Sequence, residues 1–487
     1  MKKKMKAESK YKRYTIMTQK EALEVLKRGH NVYLTGAAGS GKTYLLNKYI
    51  QFLKTQKIGV GITASTGIAA THMGGITIHS WAGIGIRGTA SDDELRVIAA
   101  NKRIAKRFQQ TQVLIIDEVS MFDANRLDLV ERLARLARGS WEPFGGMQVV
   151  LCGDFFQLPP VAKENEPLPR FVCYSAAWKG MDLKICYLQE QYRQEDKEFV
   201  RILNAIRDAS VDETVVNRLR ERRIVTLTAD PLGRIVKLYT HNINVDLENE
   251  RELAKLPEKE TAYYMQVSGV PAIAELLKKG CLAPEKLVLK KGAAVMFVKN
   301  NFERGYVNGT LGTVSGFSDS GSPIITVFTG GDIIAELATW SIEENDKILA
   351  EIRQLPLRLA WAITVHKSQG MTLDAAQVDL SKCFEKGMGY VALSRVRSLA
   401  GIRVLGFNDL ALEVNSEMFT FDQELKKRSE ETVRELGKLE YVKKAKEVQK
   451  TYSVAKIRET HPAAYQKWTS AEEDRLIECF RAGKTTT

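Results

Sequence analysis

The stretch NVYLTGAAGSGKTYLLNKYI, residues 31–50, decides the fold. Val32 to Leu34 read as an apolar strand, the glycine-rich run after them as a turn, and the residues from Lys42 onward as a helix. Gly36, Gly41, Lys42 and Thr43 fill the template G-x-x-x-x-G-K-[ST] in that strand–loop–helix context. The glycines let successive backbone N–H groups turn inward around a phosphate, and the helix N-terminus adds the positive end of its dipole. Lys42 is spaced to reach the β/γ-phosphates, and the Thr43 hydroxyl to ligate Mg²⁺. A mere turn between core elements gives Gly-Lys-Thr no reason to open the helix. A nucleoside triphosphate is the expected ligand.

Around this loop lie 487 residues, too many for one core, so about two to four domains are expected. Of the net charge of +13, the tail Met1 to Arg13 supplies +6 from seven Lys/Arg and one Glu, leaving +7 for the folded part. That excess suits a polyanion partner. The six cysteines lie far apart, with no C-x-x-C pair and no clustered histidines, so neither a zinc site nor a disulfide framework is expected. The basic tail lacks an apolar core, and no run approaches the ~18 apolar residues a membrane helix needs. A reducing, cytoplasmic setting is expected, nucleoid-associated if the source is a bacterium.

Upstream of the loop, Met17-Thr18-Gln19 precede a short helix, Glu21 to Arg28. Gln19 can read an adenine edge with its amide or simply start that helix. Downstream, a strand at Gly59 to Thr63 runs into a Ser/Thr/Gly-dense segment containing Thr66, followed by His79 and Trp81. Small hydroxyls at a strand's carboxyl end can bond a phosphodiester backbone, and His79 or Trp81 can stack on bases. An ordinary polar loop with a packed Trp is the competing reading. Asp92 to Phe108 reads as one short surface helix ending in basic residues.

VLIIDEVSM, Val113 to Met121, is a continuous apolar run of the kind buried on both faces of a parallel sheet. It delivers Asp117 and Glu118 to the crevice where such a sheet binds its ligand. Asp117 can hold Mg²⁺ and Glu118 can polarise the attacking water. QVVLCGDFFQLPPV, Gln148 to Val161, is a further buried strand, placing Gln157 to sense a γ-phosphate. At least one of Phe155 and Phe156 is expected in the core. Leu188 to Arg193 reads as the entry to a second α/β unit, with a helix at Lys197 to Asp208, a strand at Ile235 to Tyr239 and a helix at Asn244 to Leu256. Leu287 to Phe328 then carries short β-rich runs with turn signals at Asn308-Gly309 and Ser318 to Pro323, as a small inserted barrel would. The α/β unit resumes at Leu357 to Leu380 and continues through Tyr390 to Phe407. From Phe421 the chain is Lys/Glu-rich at helical spacing until Trp468, where Ser470 to Glu473 fill a capping-box pattern.

In order along the chain stand Gln19, the phosphate loop, TGIAA with ITIHS, IIDEVSM, GDFFQLPPV, EQYR, ITVHKSQGMTLD and YVALSRVR. This series, from Thr15 to Asn408, resembles a RecD-like superfamily 1B helicase. GDFFQLPPV, VHKSQG and VALSRVR resemble the Pif branch (petite-integration-frequency helicases) in particular. The resemblance implies an α/β fold of two RecA-like phosphate-loop domains with ATP between them, a small SH3-like β-barrel insertion and a helical C-terminal segment. The expected divisions are a basic tail at 1–14 and a first domain at 15–185, with a wedge insertion at about 83–108. The second domain is expected at 186–256 and 347–412, the barrel at 257–346 and the helical region at 413–487. The C-terminal W-T-x-x-E-E-D start is similar to the first helix of Myb-like repeats.

The resemblance also implies roles. Gln19 contacts adenine, and Gly36, Gly39, Gly41, Lys42, Thr43 and Tyr44 surround the nucleotide. Thr43 and Asp117 hold Mg²⁺, and Glu118 serves the water. Gln157, Arg193 and Arg395 contact the γ-phosphate, with both arginines reaching in from the opposite domain. Thr66, His79, His366 and Lys367 line a single-strand channel, to which the base-stacking reading adds Trp81. The implied activity is an ATP-dependent 5′-to-3′ DNA helicase, expected as a monomer. It would move on single-stranded DNA and open forked or tailed duplexes, or G-quadruplexes, in genome maintenance (repair, recombination and telomere maintenance). A helicase acting on RNA or RNA–DNA hybrids has the same motifs. A phosphate-loop kinase would leave Glu118 and the second arginine-bearing unit unexplained.

Overall fold

A computed structural model describes residues 17–85, 87–161, 168–225, 235–299, 301, 303–306, 310–327, 330–344, 347–373, 375–451 and 469–481. The tail, Asn308-Gly309 and Trp468 lie outside the described residues. Two compact units are present, Met1–Thr432 and Val433–Thr487. The second contains the later part of helix Phe419–Thr451 and helix Ser470–Arg481. Ser470 is already inside that helix, so it is not the residue before its first turn. No described helix is long and apolar enough to cross a membrane.

The first unit is built on the strand that feeds the phosphate loop. Strands β1 (Val32–Gly36), β2 (Val60–Ala64), β3 (Ile76–Thr77), β4 (Val113–Asp117), β5 (Gln148–Cys152) and β6 (Lys184–Leu188) form one parallel sheet in the order β3-β2-β4-β5-β1-β6. All residues of β1 and β4 are buried, as strands covered on both faces must be. β1, β4 and β5 therefore open at their carboxyl ends onto one crevice. Strand β6 pairs with β1 along its whole length, so the first domain extends past residue 185, at least to Leu188.

Flanking helices are set by their ends. In Ala124–Arg138, the Asp123 carboxylate accepts from the Asn125 and Arg126 amides, and Gly139 closes the helix in the left-handed conformation. The segment expected as one helix at Asp92 to Phe108 is two, Asp92–Ala100 and Lys102–Gln110. Asn101, extended in backbone, ends the first and caps the second.

A second parallel sheet has the order Ala362–Thr364, Val236–Tyr239, Ala376–Leu380, Ile402–Phe407. Between its first two strands in sequence lies a β-rich insertion. Five antiparallel strands run in the order Asp332–Ile334, Pro323–Val327, Leu311–Phe317, Ala294–Phe297, Leu357–Leu359, around a core of their own. Ser318 N–H bonds the Ser322 carbonyl at 2.8 Å, closing the expected turn. Strands Lys347–Gln354 and Leu357–Leu359 pair within the insertion. The second sheet therefore resumes at Ala362, and not at 347.

The helix beginning at Phe419 returns to the first sheet. Phe419 packs on Phe156 and Phe421 on Phe155, with ring centroids 5.3 and 5.9 Å apart. Both Phe155 and Phe156 are core residues. The Tyr187 amide donates to Ser429 Oγ at 3.1 Å, and Arg428 donates to the Leu183 carbonyl at 2.8 Å. The exposed edge of β6 is thus covered by a helix.

Candidate active site

The phosphate loop takes its shape from glycines at left-handed backbone angles, with φ of 88° at Gly39 and 83° at Gly41. A Cβ at Gly41 would lie 2.2 Å from the Gln19 amide nitrogen. Gln19 opens helix Gln19–Lys27, whose start is fixed by Thr18 and Glu21 each bonding the other's backbone. Gln19, the residue expected at the adenine, is therefore seated against the loop. Lys42 Nζ folds over the loop onto the Gly36 and Ala37 carbonyls at 2.7 and 3.1 Å. Gly36 itself is buried beneath, where a side chain would meet the Leu188 carbonyl.

Glu118 follows Asp117 at φ 52°, an unusual angle for a residue with a side chain. Such strain persists only where neighbours hold it. Here Glu118 N–H donates to Asp117 Oδ1 at 2.8 Å, and the Ser65 hydroxyl donates to the Glu118 carbonyl at 2.7 Å. Burial, then the charge of Asp117, pushes the Glu118 carboxyl up to about 7. Burial also raises Asp117, against the Cys152 thiol that bonds it. Across from them burial lowers Arg395, and brings Arg193 down to about 9 with Arg395's charge as the second cause.

These groups converge on a cavity of about 310 Å³. One wall is Ala38, Gly39, Gly41, Lys42, Thr43, Tyr44, Glu118 and Gln157; the other is Tyr192, Arg193, Gly370, Thr372, Arg395 and Arg397. Gln157 Oε1 is buried with no hydrogen-bond partner among the described residues, as a group that meets a ligand would be. Thr43 is exposed at the start of its helix. Among the described residues no set of three His, Cys, Asp or Glu surrounds a metal position. Thr43 and Asp117 fit an ion such as Mg²⁺, which takes most of its ligands from phosphate and water.

Arg193 is placed differently from the expectation. It follows β6 on the connector leaving the first sheet, and its Cβ lies 3.0 Å from where a Gly39 side chain would be. The preceding Tyr192 amide donates to the Gly39 carbonyl at 3.0 Å. Its guanidinium then donates to the Ser394 carbonyl at 3.0 Å. Arg193 therefore bridges the two sheets, and of the two arginines only Arg395 arrives from the second. Arg395 is fixed by its own helix end, donating to the Val391 carbonyl at 2.9 Å and to Ser394 Oγ at 2.8 Å.

The expected nucleic-acid residues separate into two groups. Thr66 is half-buried, its hydroxyl accepting from the Ala69 amide at 3.3 Å. His79 is half-buried with its ring edge-on to Phe122 at 5.4 Å. His366 and Lys367 follow strand Ala362–Thr364 at its carboxyl end, and burial brings the Lys367 ammonium down to about 8. Trp81 is withdrawn from this group. It is 4% exposed and packs edge-to-face on Phe108 at 4.7 Å, so it offers no face to a base.

Sequence reasoning passed over five groups behind the site. Asp154, fully buried, binds Arg207 at 3.2 Å, and Arg207 reaches Asp422 at 3.3 Å and lies over the Phe156 ring. Tyr390 joins them to the loop, and Ser65 holds Glu118. Tyr390 and Ser65 lie in segments already singled out, but the targets of their hydroxyls are distant in sequence.

The family described as PIF1-like helicase matches residues 14–217, and the DNA helicase Pif1 2B domain matches residues 273–317. The ATP-dependent DNA helicase Pif1 of Psychrobacter sp. (strain PRwf-1) is 44% identical over 459 residues, covering 82% of this chain and 69% of that protein. The chain belongs to the PIF1-like helicase family. The human ATP-dependent DNA helicase PIF1 is 38% identical over 406 residues, covering 83% of this chain and 62% of that protein. This PIF1-like chain thus spans about 62 to 69% of the length of those two relatives. Among solved structures, Pif1 helicase from Candida albicans superposes with a TM-score of 0.76 at 35% identity, over 84% of this chain and 98% of the other. Pif1 helicase from Bacteroides in complex with ADP-AlF3 and single-stranded DNA gives 0.68 at 30% identity, over 85% and 98%.

Proposed function

We propose that this protein is an ATP-driven DNA helicase that tracks 5′-to-3′ along single-stranded DNA and opens forked or tailed duplexes. The observation that carries the reading is the cavity where Lys42, Gln157, Glu118, Arg193 and Arg395 face one another from two sheets. Three cations and an unpaired amide suit a triphosphate, and a buried carboxylate beside them suits a water.

In this reading Gln19 selects the base and the loop amides hold the phosphates. Mg²⁺, held by Thr43 and Asp117, would neutralise phosphate charge when bound. Glu118 orients the attacking water and accepts its proton. Arg193 and Arg395 stabilise charge on the γ-phosphate. Because Arg395 belongs to the second sheet, it takes its place only when the cleft closes, which ties hydrolysis to relative movement of the two domains. Thr66, His79, His366 and Lys367 then grip the strand from the two sheets in alternation. The insertion, read as an SH3-like barrel, is the second domain's accessory element. The relatives named above, one solved with single-stranded DNA, support DNA as the track. The 5′-to-3′ direction rests on the family.

The deciding experiment is ATP hydrolysis with and without single-stranded DNA and with RNA of the same sequence. Strong stimulation by DNA supports the reading. Stimulation by RNA alone would replace it with an RNA helicase, and phosphoryl transfer to a substrate other than water would replace it with a kinase.

A further inference from the structure

We propose that Phe384 is a base-stacking platform for one nucleotide of the single strand on the second sheet, flanked by His241 and His366. The inference rests on the reading above that the protein binds single-stranded DNA.

Strands Val236–Tyr239, Ala362–Thr364 and Ala376–Leu380 are parallel neighbours, so their carboxyl ends open on one edge, where such sheets receive ligands. The chain leaving each strand brings an aromatic ring to that edge: His241, His366 and Phe384. The Phe384 ring lies 4.9 Å from His241 and 6.2 Å from His366, the latter pair stacked with planes 18° apart. Phe384 is 53% exposed, so part of the ring that both histidines contact is open to solvent. A lone exposed phenylalanine is ordinary. One in ring contact with two imidazoles, the second followed in the chain by a lysine, offers exposed ring surface that a nucleobase can use. That lysine is Lys367, whose ammonium bonds Asn242 Oδ1 at 3.1 Å and makes no ion pair with a carboxylate among the described residues. It is placed for the phosphate of a nucleotide whose base lies on Phe384. His366 and Lys367 were already read as strand contacts; Phe384 and His241 give that contact a base-directed half.

The test compares two fluorescent probes of equal length by equilibrium anisotropy, oligo-dT and an abasic oligomer with the same phosphates. Wild type should favour oligo-dT. Phe384→Ala should bind oligo-dT about 5- to 150-fold more weakly, the range for losing one base–aromatic contact. Its affinity for the abasic oligomer should match wild type, and its salt dependence should keep the same slope because no phosphate contact is lost. Phe384→Trp should restore oligo-dT affinity. If wild type binds and Phe384→Ala binds oligo-dT equally well, or weakens equally on both probes, the stacking role is wrong while the helicase reading stands. If wild type binds neither probe, the helicase reading itself falls.

Discussion

The Tyr390 hydroxyl accepts the Ala38 amide of the phosphate loop at 2.9 Å, joining the two sheets directly behind the cleft. Tyr390 lies on helix Met388–Ser394 and is buried, and its own proton points to Asp154 Oδ2 at 3.4 Å. Asp154 continues to Arg207, and Arg207 to Asp422. A line of buried polar groups thus starts at the nucleotide loop and ends on the helix that returns to cover β6. Replacing Tyr390 with Phe keeps the ring and removes the bridge. It leaves the Ala38 amide buried without its acceptor, which costs about 1–3 kcal/mol. Urea unfolding should register that loss, and an unchanged midpoint would mean the bridge does not form in solution.

Arg207→Ala should destabilise more than Asp422→Ala. Removing Arg207 strands Asp154, fully buried, without its cation, which costs about 3–5 kcal/mol. Removing Asp422 leaves Arg207 still paired with Asp154, and frees Lys426, a partly exposed partner of Asp422. Its cost should be smaller, about 1–3 kcal/mol. Equal losses in urea unfolding would place the weight of the network on Asp422.

Arg395→Ala should retain nucleotide binding and lose DNA-stimulated turnover by about 10³–10⁵, the scale for removing an arginine from a phosphoryl-transfer site. Burial lowers this guanidinium, and the Val391 carbonyl and Ser394 Oγ hold it in place facing the cavity. Steady-state ATPase paired with equilibrium binding of an ATP analogue separates the two effects. Near-normal turnover would remove Arg395 from the chemistry.

Trp81→Phe should leave single-stranded DNA affinity unchanged, whereas Trp81→Ala should cost about 3–5 kcal/mol of stability as a core truncation. A loss of DNA affinity in Trp81→Phe would return this residue to the channel. Its misreading shows where sequence stops being informative. His79 and Trp81 are two apart on helix Ile78–Ala82, so they point about 200° apart around its axis. Adjacency in sequence suggested a shared role, while the helix turns His79, half-buried, edge-on to Phe122 and Trp81 into Phe108. The phosphate loop and the Asp117-Glu118 strand were legible because each is local: strand, turn and helix all lie within about twenty residues. The Tyr390–Asp154–Arg207–Asp422 line was not, since its partners are separated by up to 352 residues, as with Ala38 and Tyr390. Domain edges failed for a related reason. Lys184–Leu188 and Lys347–Gln354 read as strands of either neighbour until their pairing is known.

Glu118→Gln is the sharpest probe of the cycle, because it changes one atom and keeps shape, the Asp117 carboxylate and the Ser65 contact to the Glu118 backbone. The amide can still touch a water but cannot take its proton, so turnover should fall by about 10²–10⁴. ATP and single-stranded DNA should then be held together in a stalled complex, seen as slow release of a fluorescent strand only when ATP is present. Lys42→Ala should fail earlier, losing productive ATP binding, so ATP should not retain the strand. If Glu118→Gln turns over normally, water activation lies elsewhere in the cleft. With wild type, duplexes carrying one single-stranded tail test direction independently of the chemistry. Only the 5′-tailed duplex should separate. In the proposed reading, direction depends on which way the strand lies across Thr66, His79, His366 and Lys367, and a site can hydrolyse ATP correctly with the strand in either sense. Preferential separation of the 3′-tailed duplex would therefore overturn the polarity while every nucleotide-site prediction held.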